Sequence, residues 1–400
     1  MQEFADKILK YSFDNPFCLK TKTFYDFAVP GMEGEFEKYL PEPKIIKLNF
    51  PNPCGWCTGM EDGCINGGIM LESLMTAYEK TNDKKYISYI NDVFEGLKLC
   101  ATVSKSKGFL ARNVSPIDCK THYINSSRDQ YTHWISACCR YCESDLCSKE
   151  DKEFIQTKLC EFAERAQKNV TEENNWSLLD ENGNQGLVVQ MWGSIMPHEA
   201  MRLPMMYIVA WKVGGHEQYK DLYMKYRDTA FEKSEEIDFN EVPRPFAVNQ
   251  MMSSLKLVYT YEDDDNAKKR CLLLMKKLSE YGYKTAISCY KNNFSDENIH
   301  LLYHAPKPWN EVHAIPKIGS ADYGCVYYMP LLYKGLHKDN PDASWRIRDI
   351  ADSLSIYTSY PDATIDDEIK NVLKGIAEKF DFSKHYSDAP MYLLEKYWMI

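Results

Sequence analysis

Residues 71–86, LESLMTAYEKTNDKKY, contain the pattern that decides the fold. Apolar residues recur every three to four positions up to Tyr78, a polar turn follows at 81–83, and a second amphipathic segment continues to about Thr102. This spacing predicts two helices, and the short polar turn between them predicts that they form a hairpin.

Similar hairpins follow along the chain and bring the total to six. In each pair the first helix is the more apolar, which predicts an inner layer of first helices and an outer layer of second helices. A single hairpin cannot cover its own apolar face, whereas neighbouring hairpins cover one another when the array closes. The further pairs are predicted at 134–143 with 148–167, 198–211 with a helix to about 233, 246–261 with 267–281, 324–336 with 343–357, and 365–380 with 391–398.

The fold predicted from this repeat is all-α, a single domain over residues 1–400 built as an (α/α)6 barrel, which is a toroid of six hairpins. An open superhelical array of helix pairs is the alternative, but such arrays repeat at nearly constant intervals of about 34–47 residues. Here the intervals vary, because long segments at 103–126, 170–197 and 284–322 precede first helices. In a toroid these long loops gather on one rim, where function is expected.

The composition excludes several classes of protein. Of the 400 residues, 44% are hydrophobic and 13% are aromatic, as is typical of a globular protein with a large core. No apolar run approaches the ~20 residues that a membrane span needs, so we expect no membrane partner. A net charge of −10 opposes binding to nucleic acid.

The cysteines and residues 1–7 indicate the cellular compartment in which the protein is expected. Fourteen cysteines are scattered through apolar helical stretches, which favours free buried thiols in a reducing compartment over a disulfide framework. Residues 1–7, MQEFADK, carry acidic residues where a secretory signal has a basic flank and an apolar run. We therefore expect a cytoplasmic protein, or a secreted protein whose leader has been removed. The number of subunits is not predicted.

Two cysteine pairs have the spacing of zinc ligands, Cys54 with Cys57 and Cys139 with Cys142. The second pair falls inside a predicted apolar helix, where a spacing of three residues simply places both thiols on one face. No βαβ pattern surrounds the first pair, as thioredoxin-like redox chemistry requires. We therefore predict neither a metal site nor a cofactor.

The first candidate for catalysis is the segment 54–63, which leads into the first helix. Glu61 and Asp62 are adjacent carboxylates near a predicted helix N-terminus, where the backbone N–H groups and the helix dipole favour the ionised form. Trp56 precedes them and is a candidate for sugar stacking. The alternative is that these acids only cap the helix.

The second candidate is the segment 123–134, which opens the next inner helix in the same manner. Asp129 and His133 are four positions apart and share a helix face, so an aspartate beside an imidazole is geometrically available. The alternative is a simple N-cap formed by a serine at 126 or 127, with Asp129 merely favourable at the dipole. The remaining binding candidates of this segment are Arg128 and Gln130.

The long loops supply further candidates for binding a sugar. Arg112 and Asn113 lie in a short rim loop, where the cation would face an acidic sugar or pair with Glu61 or Asp62. Sugar rings present apolar C–H faces and polar hydroxyls, so aromatic platforms edged by polar groups fit a glycan. The later loops add Trp192, His198, Trp309, Asp322 and Tyr323.

The hairpin phrase at 74–86 resembles the six-hairpin glycosidase superfamily, and within it the unsaturated glucuronyl and rhamnogalacturonyl hydrolases. The hairpin organisation covers nearly the whole chain, and the phrase is specific to the fold rather than to the activity. In the glucuronyl hydrolases one aspartate precedes an inner helix and a proton donor opens the next, about sixty residues on. Asp62 and Asp129 match these two aspartates in their placement along the chain. The resemblance implies that Asp129 is the general acid/base and that Asp62 is the second carboxylate.

The function expected from these residues is a glycoside hydrolase that acts on a uronate-containing or other small oligosaccharide by carboxylate acid/base catalysis. A sugar epimerase on the same toroid would use paired histidines, drawn from His133, His198, His304 and His313. A polysaccharide lyase would use Tyr131 with Arg112 and Asn113. A non-catalytic helical-repeat protein that binds carbohydrate or protein is the remaining alternative.

Overall fold

The computed structural model describes residues 1–26, 40–56, 58–242, 244–303 and 343–400. Within these ranges the regular structure is helical, and the β-type pairings are two isolated bridges, Phe17 with Phe24 and Ser177 with Gln190. The α-helices are α1 Gln2–Asp14, α2 Pro43–Ile46, α3 Gly63–Thr81, α4 Lys85–Thr102, α5 Arg128–Glu143, α6 Lys149–Asn169, α7 Arg202–Lys212, α8 Tyr219–Glu235, α9 Pro245–Tyr261, α10 Asp265–Asn293, α11 Ala343–Thr358, α12 Asp367–Lys379 and α13 Leu394–Trp398.

The expected all-α class is confirmed for the described residues, and the first two hairpins form as the sequence predicts. α3 ends at a left-handed Asn82, so the chain reverses at the predicted polar turn. α6 begins at a Ser148 cap, whose hydroxyl accepts a hydrogen bond from the Asp151 backbone N–H at 3.1 Å. The capping residue and the polar turn were therefore reliable signals of helix ends.

Two boundaries differ from the prediction. The first helix of the third hairpin was expected to begin at His198. Instead, residues 197–199 form a separate 3-10 turn and α7 begins at Arg202. The second helix of the fourth hairpin was expected to end at Tyr281, but α10 continues to Asn293. Gly282 lies inside this helix and does not end it. A Cβ at this position would lie 2.6 Å from the Ser353 carbonyl oxygen of α11, so there is no space for a larger residue. This glycine permits close packing of two helices rather than a turn.

The later hairpins are described in part. The predicted first helix at 324–336 lies outside the described residues, and its predicted partner forms as α11. α12 matches the predicted helix at 365–380. The last predicted helix is a 3-10 turn, Ala389–Leu393, followed by the short α13.

Alternate helices along the chain pack on one another, and they include α11, which the sequence assigned as the second, outer helix of the fifth hairpin. α3 contacts α5, α5 contacts α7, α7 contacts α9, and α9 contacts α11. α11 contacts the 3-10 turn Ala389–Leu393, and both this turn and α13 contact α3. One large apolar cluster covers these contacts and includes buried side chains of every helix from α3 to α12. The N-terminal starts of α3 and α5 therefore lie on neighbouring elements of one core.

The twelve described cysteines are unpaired. Among the described helices, we find none with the length and apolar character needed to cross a bilayer.

Candidate active site

Two helix starts place Asp62 and Asp129 on neighbouring helices. Asp62 is the residue immediately before α3, and Asp129 lies in the first turn of α5. α5 begins where the sequence predicts a cap, because the Ser127 hydroxyl accepts a hydrogen bond from the Gln130 backbone N–H at 3.3 Å. Both carboxylates remain partly accessible, with side-chain exposures of 15% for Asp62 and 26% for Asp129.

Asp62 is held by side chains from three other parts of the chain. Arg348 of α11 donates from Nη1 to Asp62 Oδ2 at 2.8 Å, and Gln130 donates from Nε2 to Asp62 Oδ1 at 3.2 Å. Arg112 Nη1 lies 3.9 Å from the same Oδ1. The pairing of Arg112 with this acidic segment, which the sequence left open, is therefore present.

Two further carboxyl groups stand beside Asp62. Asp26 accepts hydrogen bonds from the backbone N–H groups of Glu61 and Asp62, at 2.8 and 3.1 Å. Loss of solvent and the negative charge of Asp62 raise the pKa of Asp26 to about 7. Asp388 accepts from Asn66 Nδ2 at 2.7 Å, and burial together with Asp26 raises its pKa well above the usual range. This group of carboxyls therefore retains a proton near neutral pH.

Asp129 is in the opposite protonation state. Arg202 of α7 pairs with Asp129 Oδ1 at 2.5 Å. Burial acts to raise the pKa of Asp129, but the nearby guanidinium groups of Arg202 and Arg128 outweigh it and hold this pKa at about 2. Asp129 is therefore a carboxylate at neutral pH.

Arg128 does not form an ion pair with Asp129, although it is its neighbour in sequence. Its Nη2 pairs with Glu199 Oε1 at 2.5 Å, and its Nη1 donates to the Gln190 carbonyl at 2.8 Å. Adjacent helix residues point apart, so Arg128 ties the loop 188–199 to the start of α5. It acts on Asp129 only through its charge.

The two described histidines among the candidates are both buried. His133 lies one turn after Asp129, and burial together with Arg348 lowers its pKa to about 3. Neither ring nitrogen of His133 has a hydrogen-bond partner in the described part of the chain. His198 Nε2 lies 3.9 Å from Glu199 Oε1, and burial lowers its pKa as well. Both imidazoles are neutral at pH 7. His304 and His313 lie outside the described residues.

Several predicted residues have structural contacts. Asn113 donates from Nδ2 to the Phe24 carbonyl at 2.7 Å and accepts from the Val114 N–H at 2.9 Å. It therefore holds in place the irregular segment that precedes Asp26. Gly63 permits this, because a Cβ there would lie 2.6 Å from Asn113 Cγ. Tyr131 donates to the Gly108 carbonyl at 2.9 Å inside the core, which removes it as a lyase base.

The predicted aromatic platforms lie in different places. Trp56 stands beside the Arg112 guanidinium, with 5.9 Å between the Arg112 Cζ and the ring, and so borders the Asp62 side of the site. Trp192 packs edge-on against Tyr226 of α8, with ring centroids 4.8 Å apart. The predicted residues Trp309, Asp322 and Tyr323 lie outside the described residues.

Four arginines surround these carboxylates and have spare donors; three of them are buried, and Arg128 has 15% of its side chain exposed. The Nε atoms of all four are buried without a hydrogen-bond partner, and so is Gln130 Oε1. Buried polar atoms are normally satisfied, so these N–H groups give the surroundings of the carboxylates an excess of donors. Guanidinium groups favour a carboxylate or another anion. The four residues are Arg112, Arg128, Arg202 and Arg348.

Sequence reasoning missed Asp26, Arg348, Asp352 and Asp388. α11 was assigned to the outer layer, yet it supplies Arg348 and also Asp352, whose Oδ1 accepts from Asn249 Nδ2 at 2.8 Å. The signal available was the spacing of Arg348 and Asp352, four positions apart on one helix face. Asp26 and Asp388 had no such signal, because they lie in irregular segments.

In the described ranges we find no group of three or more metal-binding side chains. Cys139 and Cys142 are both buried within α5. Cys57, the partner of Cys54 in the predicted pair, lies outside the described residues. Comparison of the chain with protein families, curated proteins and solved structures finds no match.

Proposed function

We propose that the chain is a glycoside hydrolase that acts on a small, uronate-containing oligosaccharide. The observation that carries the proposal is the pair of partly exposed carboxylates at neighbouring helix starts, each held by a buried arginine from a distant helix. Two carboxyl groups in different protonation states are what acid/base cleavage of a glycosidic bond requires. Asp129 provides the ionised group, and Asp26, which lies beside Asp62, provides the protonated one.

The proposal includes the (α/α)6 toroid that the resemblance to six-hairpin glycosidases implies. The packing of α3, α5, α7, α9 and α11 in succession, followed by the return through the C-terminal turn to α3, supports this arrangement. In such a toroid the starts of alternate helices share one rim. The cleft would then lie between the starts of α3, α5, α7 and α11.

The roles of the two aspartates follow from their partners. The resemblance assigns the acid to Asp129, but Arg202 favours the ionised form of this group. We therefore assign Asp129 as the base or nucleophile. The acid is assigned to the Asp26–Asp62 pair, because Asp26 has a pKa of about 7. Glu61 borders this pair, and its backbone oxygen accepts from Gln130 Nε2 at 3.0 Å.

The preference for a uronate follows from the arginines. Arg112 and Arg202 are buried, and Arg202 uses Nη1 on Asp129 while its Nε has no partner. A sugar carboxylate would satisfy such donors in a planar, paired geometry. The proposal also includes a cytoplasmic setting, in which the buried thiols would remain reduced.

A sugar epimerase is the second candidate, since two neutral histidines lie beside Asp129. The pKa of about 3 for His133 makes it a weak base at neutral pH, which favours the hydrolase.

The test is turnover by wild type, Asp62→Asn, Asp129→Asn and Asp367→Asn, the last being a control on the exposed start of α12. Unsaturated uronyl disaccharides are followed by loss of ultraviolet absorbance, and aryl glucuronides and aryl glucosides by released phenol. We expect a preference for uronides, and a fall of about 100-fold or more in both site variants. No turnover on any glycoside, or turnover unchanged in both site variants, would reject the proposal.

A further inference from the structure

A cavity of about 430 Å³ lies among α3, α5, α9, α11 and the C-terminal segment. Its volume is within the range of about 300–1,000 Å³ that is typical of small-molecule sites. Its deep end is formed by His133, Asn249, Asp352 and Tyr392, and it opens where α3 and α11 end, at Lys80 and Thr358.

This cavity meets the candidate active site only at its deep end, through His133 and Asp352, and extends away from it. On α3 the cavity lining runs from Ile69 to Lys80, whereas Asp62 precedes the helix. With a rise of 1.5 Å per residue, Thr76 lies about 21 Å along α3 from Asp62. On α11 the lining begins at Asp352, one turn beyond Arg348. The cavity therefore opens at the C-terminal ends of α3 and α11, and the opposite ends of these helices supply Asp62 and Arg348.

The wall of the cavity is rich in hydroxyl groups. Ser73, Ser253 and Thr358 each donate to the carbonyl four residues earlier, at 2.8, 3.0 and 2.9 Å. A hydroxyl that donates to the backbone keeps its oxygen lone pairs as acceptors. Ser136 donates to Glu72 Oε1 at 2.8 Å in the same manner. The wall therefore offers acceptors to a ligand that carries several O–H donors.

The deep end contains polar atoms that lack hydrogen-bond partners. His133 is 5% exposed, and neither of its ring nitrogens is hydrogen-bonded to a described residue. Asp352 is 2% exposed, and its Oδ2 has no hydrogen-bond partner, with Arg348 Nε 3.5 Å away. The ring nitrogens of His133 therefore remain available to a molecule in the cavity, whereas Asp352 Oδ2 is closed off from solvent.

The charges near the mouth compensate one another. Arg140 pairs with Glu79 at 2.9 Å and with Glu395 at 3.5 Å, and Lys396 pairs with Glu395 at 2.5 Å. The neutral imidazole of His133 adds no charge at the deep end. A surface that is polar but internally compensated favours a neutral ligand over an anion.

We propose that this cavity is a second ligand site, which binds a neutral polyhydroxylated molecule of monosaccharide size. The hydroxyl oxygens of the wall accept hydrogen bonds from its O–H groups, and the ring of His133 forms a hydrogen bond with the part of the ligand at the deep end. The site is independent of the hydrolase proposal, because none of Asp26, Asp62 and Asp129 lines it.

The experiment is titration of the full chain with glucose, xylose and myo-inositol, with glucuronate as the charged comparison. Binding is followed by calorimetry and by NMR of ring-labelled histidines, with the His133 signals assigned by their loss in His133→Gln. We expect at least one neutral probe to bind saturably, to shift the His133 signals, and to bind at least tenfold more tightly than glucuronate. Ser253→Leu should weaken this binding at least tenfold, whereas Ser88→Leu, on an exposed face of α4, should not.

Two results would overturn the proposal. One is the absence of any shift of the His133 signals with all three neutral probes in folded wild type, which would mean that the cavity holds water alone. The other is binding that survives Ser253→Leu but is lost in an Asp62→Asn and Asp129→Asn double variant, which would place the sugar in the active-site cleft. Conversely, binding that is retained in the double variant supports a separate site even when no glycoside is hydrolysed.

Discussion

Arg348 Nη1 lies 2.8 Å from Asp62 Oδ2, although 286 positions separate the two residues in the chain. The guanidinium carbon of Arg348 is also 4.6 Å from the Tyr392 ring and 4.7 Å from the Trp345 ring. It is the cation shared by three carboxyl groups. It contacts oxygen atoms of Asp62 and Asp352, and its charge acts to lower the pKa of Asp388. The arrangement of this centre therefore depends on one buried side chain.

Replacement of Arg348 by methionine should lower the free energy of unfolding by about 3 kcal/mol or more, because it leaves buried carboxylates without their cation. Arg270→Met is the matched control. Its pair with Glu235, at 2.7 Å, is partly exposed, so its loss should cost less than about 1 kcal/mol. Urea unfolding at pH 7 measures both values, and equal small losses would contradict the assigned role.

Asp129 should stabilise the fold only while it is ionised. Its folded pKa of about 2 lies below the ordinary value of 3.8, so its contribution is fully present above about pH 4 and is lost as the pH falls through 2. At pH 6 Asp129→Asn should be less stable than wild type by about 2 kcal/mol. This difference should shrink as the pH is lowered from 4 towards 2. Urea midpoints at a series of pH values test it, and a constant difference would count against the Arg202 pairing.

Asp26 should show the opposite dependence on pH. Its pKa is raised to about 7 by desolvation and by Asp62, with Asp388 nearby and Arg348 acting against the shift. Between pH 4 and 7 the folded chain then holds a proton that the unfolded chain has lost. The stability of wild type relative to Asp26→Asn should therefore fall as the pH rises through this range, by up to about 1.4 kcal/mol per pH unit. A relative stability that rises instead would show that Asp26 is ionised throughout.

Gly63→Ala should disturb the start of α3. The added Cβ would lie 2.6 Å from Asn113 Cγ and 2.7 Å from the Arg112 carbonyl oxygen, and neither the buried amide nor the backbone can move freely. We expect a loss of about 1–3 kcal/mol in the free energy of unfolding. Ser88→Ala, at an exposed helix position, should stay within about 0.5 kcal/mol. A neutral effect at Gly63 would mean that the contact relaxes easily.

The helices were predictable because their signals are local. Apolar spacing, the Ser148 cap and the Asn82 turn depend on residues within a few positions of one another. The end of α10 was not predictable, because Gly282 lies inside the helix, where α10 packs closely against the Ser353 carbonyl of α11. This is a contact between distant segments of the chain. Glycine in a sequence does not distinguish a turn from close helix packing.

The candidate site was predictable at two helix starts and in one rim loop. Asp62, Asp129 and Arg112 were found in this way, but the sequence gave no indication of the two cations that come from later helices. Arg202 and Arg348 reach them from α7 and α11, and these pairings decide which carboxyl holds a proton. Protonation state is a property of the folded assembly, so the sequence could suggest acids and bases without assigning them.

The centre around Asp62 also joins the two ends of the chain. Asp26 comes before the first hairpin, Arg348 lies on α11, and Asp388 follows α12, and the Asp388 backbone N–H donates to the Asp26 carbonyl at 3.3 Å. During translation the chain must therefore grow past residue 388 before these groups can meet. A nascent chain that ends before Arg348 holds Asp26 and Asp62 without their cation, and Asp388 is added later still, so the centre is completed only late in synthesis.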